Sequence, residues 1–396
     1  MTVLERRVGQ EAKAVTRQEV VMKAVMGRIT WLQAADILGI TARQMRRVHY
    51  QFQRIGAEAF LDHRGKAPRR RRIPLTVLEE VCRLRQEKYP DFSIQHFHEH
   101  VTEQHGLKLS YTLCKKVLQD AGLAEKSPGR GQYRRRRERR PMVGMMLHLD
   151  ASTHAWLPEL PMQDLVVMLD DADGRILHAR FVEQEGTVST LVALWDVLHK
   201  HGRFCELYTD RGSHFARTPN AGGPTTEEVG QVPRVLRTVG IRQILARSPQ
   251  ARGRSERAFG TIQGRLPQEL RAHGVQDYAG ANRYLEQHFV PDFNRRFTVT
   301  PREPGSAFLK LAVRDLELVL SVQHERVVRH DNVVVFERLL LQLPPPRARA
   351  HYARCPVLVH RFLDATLGVS FQGRLVARFD STGGPLPLRS PATAAA

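Results

Sequence analysis

Apolar residues in the first third of the chain recur every three or four positions, which is the spacing of amphipathic helices. Thr30 and Thr41 stand where helix N-caps are expected, and Gly39 separates the two apolar runs. Helix, short glycine turn, helix is the plan of a helix-turn-helix, whose last helix enters the major groove of DNA. We predict such a domain over residues 1–63, although any unit of three packed helices has this pattern. The predicted DNA contacts on the last helix are Arg43, Gln44, Arg46 and Arg47.

A second helical pattern covers residues 74–125 and predicts another helical DNA-binding domain. Histidines crowd its middle, and His96 and His100, four residues apart, share one face of a helix. A zinc site that these two complete with Cys114 or Cys82 is one interpretation. The spacing matches no standard zinc motif, so we favour solvated histidines.

From residue 142 the pattern changes to short apolar runs that alternate with helices. The order of elements is βββαβαβα, which is that of an RNase H-like α/β fold. The mixed sheet of this fold brings its first and fourth strands side by side. In chain order we expect a strand ending at Asp150, strands over 163–171 and 174–183, a helix over 187–201, a strand ending at Asp210, a helix over 233–240, a strand over 241–246 and a helix carrying Glu256.

The five residues Asp170-Asp171-Ala172-Asp173-Gly174 fall between the second and third of these strands. An Asp-Gly pair between two apolar runs is a strong signal of a β-hairpin. We therefore interpret Asp170, Asp171 and Asp173 as turn residues and not as metal ligands.

Beyond Pro301 and Pro304, short segments again alternate between polar and apolar positions, which is typical of strands. We predict a small C-terminal β-barrel over residues 303–380 and a disordered tail over 381–396. The chain is then multidomain: N-terminal all-α helix-turn-helix units, an α/β RNase H-like core over 142–302, and the barrel.

The charge balance adds a polyanionic partner to this picture. Of the 396 residues, 61 are lysine or arginine and 41 are acidic, which gives a net charge of +20. Such an excess favours nucleic acid as the partner, and linkers predicted over residues 64–73 and 126–141 concentrate it. Each linker either contacts phosphates or is a solvated charge run, and we favour phosphate contacts. The arginines concerned are Arg69, Arg70, Arg71, Arg72, Arg134, Arg135, Arg136 and Arg137.

The spacing of the cysteines and the absence of long apolar runs indicate the cellular compartment of the protein. Cys82, Cys114, Cys205 and Cys355 lie far apart and form no C-x-x-C pair. A disulfide framework is therefore not expected, and a reducing cytoplasm fits. The first residues lack the apolar stretch of a signal peptide, and no run of about 18 apolar residues predicts a membrane span.

Three acidic residues stand at the ends of predicted elements: Asp150 and Asp210 close apolar strands, and Glu256 opens a helix. Such positions are common capping positions, and for each acid alone we favour that interpretation. Three carboxylates brought together, however, need cations to stay ionised. Two divalent ions about 4 Å apart, held by oxygen ligands, clamp the attacking and leaving oxygens of a phosphodiester. In a basic chain, the set therefore predicts phosphoryl transfer on nucleic acid.

Five segments carry a family resemblance: residues 145–150 (MMLHLD), 170–174 (DDADG), 208–213 (YTDRGS), 248–257 (SPQARGRSER) and 292–297 (DFNRRF). As a set they resemble the DDE transposases of bacterial insertion sequences, which have a retroviral-integrase-like core. The resemblance is closest to the ISNCY family and covers roughly residues 15–302.

The resemblance implies that Asp150 bridges two Mg²⁺ ions, that Asp210 completes one ion site and that Glu256 completes the other. Mn²⁺ is expected to substitute for Mg²⁺. The gap between Asp210 and Glu256 is longer than is typical of the superfamily, which indicates an insertion. Three arginines beside Glu256 either hold phosphates near the metal ions, which we favour, or only solvate their helix; they are Arg252, Arg254 and Arg257.

The implied function is binding of the terminal inverted repeats of an element, followed by strand cleavage and strand transfer into target DNA. The implied partners are double-stranded DNA and further copies of the chain, at least a dimer, in the bacterial cytoplasm and nucleoid. Two alternatives remain: a non-catalytic DNA-binding regulator derived from a transposase, and an RNase H-like nuclease acting on RNA hybrids. All three acids are present, which argues against the first, and the predicted helix-turn-helix argues against the second.

Overall fold

The computed structural model describes residues 18–56, 73–125, 138–215, 230–246, 253–311, 315–346 and 350–388. The chain forms two units, Met1–Tyr133 and Arg134–Ala396. None of the helices in the described ranges combines the length and the apolar character that crossing a membrane requires.

The first unit begins with three helices, as the sequence predicts. Both α2 and α3 start with a capping box, in which a threonine and the glutamine three residues later bind each other's backbone. Between these helices Gly39 has a φ of 60°, a left-handed conformation that glycine adopts without steric cost. The helices are α1 (18–25), α2 (Trp31–Ile37) and α3 (Ala42–Ile55), and their buried side chains include Val20, Val21, Ala24, Ala34, Ala35, Met45 and Val48.

Three further helices of the first unit surround a separate hydrophobic core. Arg85 is buried against this core, and its Nη1 donates to the carbonyl oxygens of Tyr89, at 2.8 Å, and of Phe92. The loop between the first two of these helices is thereby held in place. The helices are α4 (Leu75–Glu87), α5 (Ile94–Glu103) and α6 (Tyr111–Asp120).

His96 and His100 of α5 lie inside this core, with exposures of 1% and 6%. Both rings contact the ring of Phe92. The prediction that these two histidines are solvated is therefore wrong, because they lie on the face of α5 that packs against its neighbours. Within the described residues, neither Cys82 nor Cys114 joins them in a group able to hold a metal ion.

The second unit is built on a five-stranded mixed sheet with the order β3-β2-β1-β4-β5. β1 pairs antiparallel with β2 and parallel with β4, while β2 pairs antiparallel with β3. This topology confirms the predicted order βββαβαβα. The elements are β1 (Met146–His154), β2 (Gln163–Asp170), β3 (Ile176–Val182), α7 (Thr187–His201), β4 (Glu206–Thr209), α8 (Gln231–Val239), β5 (Arg242–Leu245) and α9 (Gly253–Gln263).

Side chains of β1 alternate between the two faces of the sheet. Leu147 and Leu149 point into a core shared with α7 and α8, so His148, Asp150 and Ser152 lie on the opposite face. Helices that follow β5 cover that opposite face. They are α9, α10 (Leu266–Ala272), α11 (Tyr278–Tyr284), a π-helical segment (Leu285–Phe289) and α12 (Val290–Phe297).

The C-terminal part is β structure, as predicted, but its described strands do not close into a barrel. Five strands form an open sheet with the order β12-β11-β10-β9-β6. The hairpin of β7 and β8 packs on this sheet, and its Val334 and Phe336 share a core with Val359 and Val369. The hairpin thus buries the apolar face that closure would otherwise bury. The elements are α13 (Leu316–Val319), β6 (Val322–Val327), β7 (Val333–Phe336), β8 (Leu339–Gln342), β9 (Pro356–Arg361), β10 (Leu367–Phe371), β11 (Arg374–Phe379) and β12 (Pro385–Leu386).

Strand β12 falls within the tail that the sequence predicts to be disordered, residues 381–396. It pairs antiparallel with the end of β11. A tight turn leads into it, in which Asp380 Oδ1 accepts from the backbone of Thr382 at 2.8 Å and of Gly384 at 2.9 Å. The start of the predicted tail is therefore ordered, and residues 389–396 lie outside the described residues.

Helix α8 anchors the C-terminal strands to the mixed sheet. Arg234 of α8 donates to the carbonyl oxygens of Val319, at 3.1 Å, and Ser321, at 2.6 Å. Gln231 and the backbone of Gln323 exchange two hydrogen bonds. Burial lowers the pKa of Arg234 to about 10, so its charge is retained at neutral pH.

Candidate active site

Asp150 lies within β1, and not at its end as the sequence predicts. β1 continues to His154 because β2 continues beside it as far as the pair His154–Gln163. The parallel pairing of β1 with β4 ends earlier, at His148 with Tyr208. Asp150 therefore lies two residues beyond the last pair of these two strands.

Asp210 directly follows the last residue of β4, as the sequence predicts. It lies two residues beyond Tyr208, just as Asp150 lies two residues beyond His148. Because side chains alternate along a strand, both acids fall on the face of the sheet that carries His148 and Tyr208. The backbone N–H of Gly212 donates to Asp210 Oδ1 at 2.8 Å and orients that carboxylate.

Helix α9 runs beside β1 in the same direction. Near its start, Arg254 binds Asp171, which in turn binds His148 of β1. Near its end, Gln263 Nε2 donates to Ser152 Oγ at 2.8 Å. Between these contacts the helix advances about 13.5 Å and the strand about 13 Å, so the two elements stay in step.

Glu256 is exposed in the first turn of α9. Glu256 precedes Gln263 by seven residues, which is two helical turns less about 20°. The two side chains therefore leave α9 in nearly the same direction. Glu256 thus projects from the flank of α9 from which Gln263 reaches Ser152 of β1. It lies about 3 Å further along the helix than Arg254, which puts it beside the part of β1 between His148 and Asp150.

The predicted hairpin of β2 and β3 is confirmed by their antiparallel pairing, and the three aspartates at its turn are buried. Asp170, Asp171 and Asp173 have exposures of 3%, 1% and 2%. Asp170 Oδ2 accepts from the backbone N–H of Gly144 at 2.7 Å. Burial nevertheless raises the pKa of Asp170 to about 6.

Asp171 connects the turn to the elements that carry the acids. Its carboxylate accepts from His148 Nε2 at 2.7 Å, from Arg254 Nη1 at 2.5 Å and from the backbone N–H of Arg140 at 2.6 Å. Burial acts to raise the pKa of Asp171, but these hydrogen bonds and charges outweigh it and lower the pKa to about 2. One feature of the sequence could have indicated this role, since a hairpin turn needs one Asp-Gly pair and not three aspartates.

A cleft of about 230 Å³ lies along α9. The ionisable residues of its lining are Arg139, His148, Asp170, Arg254 and Arg257. Arg139 and Arg257 donate to backbone carbonyl oxygens, and in the described part of the chain neither forms an ion pair with a carboxylate. The cleft is therefore a place where anionic groups are favoured.

In the first unit, the predicted DNA-contacting residues of α3 are exposed, while Met45 and Val48 on the same helix are buried. Gln44 has a structural task, because its Oε1 accepts from the backbone N–H of Thr41 at 3.0 Å. The outward arginines of α3 are Arg43, Arg46 and Arg47.

The remaining predicted phosphate contacts lie outside the described residues. They are Arg69, Arg70, Arg71, Arg72, Arg134, Arg135, Arg136, Arg137 and Arg252.

Two bacterial proteins resemble the chain in sequence over most of its length. One is named "Putative transposase y4bF" and comes from Sinorhizobium fredii (strain NBRC 101917 / NGR234); it is 30% identical over 374 residues, which are 92% of this chain and 80% of that protein. The other is the transposase for insertion sequence IS1202 of Streptococcus pneumoniae, 28% identical over 320 residues, 71% of this chain and 68% of that protein. No family model matches the chain.

Solved structures of retroviral integrases resemble parts of the chain. The magnesium-bound catalytic core of HTLV-2 integrase, in its dimeric form, is 15% identical and covers 41% of this chain and 93% of the core, with a TM-score of 0.30. A simian T-cell lymphotropic virus intasome in complex with the PP2A regulatory subunit B56 gamma is 15% identical and covers 72% of this chain and 99% of that chain, with a TM-score of 0.33.

Proposed function

Because the chain belongs to the transposases of insertion sequences, we propose that it cleaves and joins DNA strands in a Mg²⁺-dependent reaction. The proposed active site consists of Asp150, Asp210 and Glu256. The proposed substrates are the terminal inverted repeats of its own element and a target DNA. Membership of the ISNCY family is part of the proposal.

The placement of the three acids is the observation that carries this proposal. Asp150 and Asp210 lie at matching positions beyond the last β1–β4 pair, on one face of the sheet. Glu256 projects from the helix that runs along β1 on that face. Carboxylates gathered in this way favour bound cations, because they repel one another when all are ionised.

The chemistry of the donor set fits a divalent metal. The three side chains offer only carboxylate oxygens, which are the ligands that Mg²⁺ prefers. Asp150 would be shared by two ions, with Asp210 completing one site and Glu256 the other; Mn²⁺ would substitute. When bound, such ions activate the attacking water or DNA 3′-hydroxyl and stabilise the leaving oxygen.

In this proposal, arginines that line the cleft bind the phosphates of DNA. Arg254 and Arg257 of α9 line the cleft, and Arg254 is also paired with Asp171. Arg139 lines the same cleft. Guanidinium groups bind phosphate oxygens through charge-assisted hydrogen bonds, so they would hold a DNA strand next to the acids.

Recognition of duplex DNA is proposed for the first unit. Arg43, Arg46 and Arg47 on the exposed side of α3 would enter or border the major groove, as the last helix of a helix-turn-helix does. The net charge of +20 supports a polyanionic partner. We propose that the protein acts on DNA as a homo-oligomer of at least two copies.

The test uses the full chain and duplexes that carry the terminal repeats flanking its own gene. We expect a strand break at the element end in Mg²⁺, and covalent joining of that end to a target duplex. A duplex with scrambled ends is the control. Binding without cleavage would instead identify a regulator, and cleavage restricted to RNA–DNA hybrids would identify a nuclease; either result overturns the proposal.

A further inference from the structure

We propose that Asp171 is a positioning residue of the active site, which holds the start of α9, and with it Glu256, against β1. The inference rests on the proposed function, since it concerns the geometry of the same three acids. Asp171 itself binds no metal ion in this proposal. It acts through the elements that carry Asp150 and Glu256.

Three segments of the chain meet at the Asp171 carboxylate, whose side chain is 0% exposed. His148 Nε2 of β1 donates to Oδ1 at 2.7 Å, and Arg254 Nη1 of α9 lies 2.5 Å from the same oxygen. The backbone N–H of Arg140, in the segment leading into the core, donates to Oδ2 at 2.6 Å. Arg254 Nη1 also donates to the carbonyl oxygen of Asp171 at 2.9 Å, so this arginine is held at two points.

The residues that Asp171 binds are close neighbours of two proposed metal ligands. His148 precedes Asp150 by two residues on the same face of β1, and Arg254 precedes Glu256 by two residues in the first turn of α9. The Gln263–Ser152 hydrogen bond fixes the far end of α9. The Asp171–Arg254 pair fixes its near end, where Glu256 lies.

The two other buried aspartates of the turn provide an internal comparison. Asp170 Oδ2 binds the backbone of Gly144, and Asp173 Oδ1 accepts from the backbone N–H of Arg175 at 2.8 Å. In the described part of the chain, neither of these carboxylates binds α9. Asp171 alone among the three therefore connects β1 with α9, and its charge-assisted pairs are the stronger kind of hydrogen bond.

The discriminating measurement is the Mg²⁺ dependence of cleavage, because misplacing one carboxylate ligand weakens metal binding before it affects DNA binding. Asp171→Asn is compared with Asp173→Asn, which also removes a buried charge from the turn. Groups that orient metal ligands contribute about 10- to 100-fold to metal affinity. We expect Asp171→Asn to raise the Mg²⁺ concentration for half-maximal cleavage by about tenfold or more, with partial rescue by Mn²⁺.

Binding to element ends and a cooperative melting transition should be retained in Asp171→Asn, and Asp173→Asn should keep the wild-type Mg²⁺ dependence. A general loss of folding would move all of these readouts together. The Mg²⁺ dependence, in contrast, responds to the placement of the ligands.

A second variant, Arg254→Gln, keeps the inference testable if Asp171→Asn fails to fold. It removes the other half of the pair without placing a new group in the turn. We expect a shift in Mg²⁺ dependence in the same direction as for Asp171→Asn. The double variant should show no shift beyond that of Asp171→Asn, because both changes break the Asp171–Arg254 pair.

Wild-type Mg²⁺ dependence in either single variant, or additive shifts in the double variant, would contradict the positioning role. An inactive wild-type protein would contradict the proposed function instead. The two failures are therefore distinguishable.

Discussion

Asp150 of β1 and Asp210, which directly follows the parallel strand β4, each lie two residues beyond the last pair of these two strands. The pairing stops at His148 and Tyr208, whose rings lie 5.0 Å apart. Beyond that pair β1 remains bound to β2, whereas β4 ends at Thr209 and the chain turns at Gly212. The pairing of β1 with β4 thus stops just before the two carboxylates.

We predict that Asp150→Asn and Asp210→Asn each abolish strand cleavage and joining while leaving binding to element ends intact. The amide removes the negative charge that a divalent ion requires, and the proposed DNA-reading helix lies in the other unit. Cleavage assays in Mg²⁺ and gel-shift assays on the same duplex measure the two properties. The control is Glu286→Gln, which removes an exposed carboxylate of the same unit. Near-normal cleavage by either aspartate variant would contradict the assignment of these aspartates as metal ligands.

We predict that DNA binding weakens steeply with salt and that the arginine run 134–137 carries part of this dependence. Removing one arginine–phosphate interaction should lower the slope of log affinity against log salt by roughly 0.9. Replacing all four arginines by alanine and measuring affinity at several salt concentrations tests this. An unchanged slope would exclude a phosphate role for the run.

The elements that were predictable from sequence are those fixed by local patterns. Helix α7 has the predicted bounds, Thr187–His201, because Leu191, Leu194 and Leu198 repeat at helical spacing and are buried. The end of β1 was not predictable in the same way. Its length is set by pairing with β2, whose residues lie on the far side of an intervening loop.

Neither the open C-terminal sheet nor the role of Asp171 could be predicted from the sequence, and the reason is the same for both. Both depend on contacts between residues far apart in the chain. Asp171 meets His148 at a separation of 23 residues and Arg254 at a separation of 83. The periodicity of apolar residues describes one element at a time. It therefore predicted the elements that carry the three acids, but not that Asp171 links β1 with α9.

We predict that His360 makes the stability of the second unit depend on pH. The ring is buried, and its two nitrogens bind Ser321 at 2.8 Å and Ser370 at 2.7 Å. Burial lowers the pKa of His360 to about 4 from its ordinary value of 6.5. The neutral form therefore stabilises the folded state fully above pH 6.5, and this stability is lost as the pH falls towards 4, because the unfolded chain takes up the proton first.

Between pH 7 and pH 5 this contribution amounts to about 2 kcal/mol. Urea unfolding at both pH values measures it, and His360→Gln should lose less stability on acidification than the wild type. His330→Gln, at an exposed position, should behave like the wild type. An equal loss in the wild type and in His360→Gln would exclude His360 as the cause.

We predict that Glu256→Gln removes cleavage and joining, whereas Glu227→Gln and Glu228→Gln leave most of the activity. Glu227 and Glu228 lie outside the described residues, in the proline- and glycine-rich insertion between Asp210 and Glu256. A metal ligand needs a rigid frame, and α9, held at both ends against β1, provides one.

Glu269 is the remaining candidate for the third acid, and the structure gives it another task. It lies on α10, where its Oε2 accepts from the Tyr284 hydroxyl at 3.1 Å, and Leu266 and Leu270 of the same helix are buried. Glu269→Gln should therefore change stability more than the Mg²⁺ dependence of cleavage. Glu256, in contrast, is exposed on the flank of α9 that carries Gln263, so its loss should leave melting and end-binding unchanged. An active Glu256→Gln enzyme would move the third ligand to the insertion, and inactivity of Glu227→Gln or Glu228→Gln would then identify it.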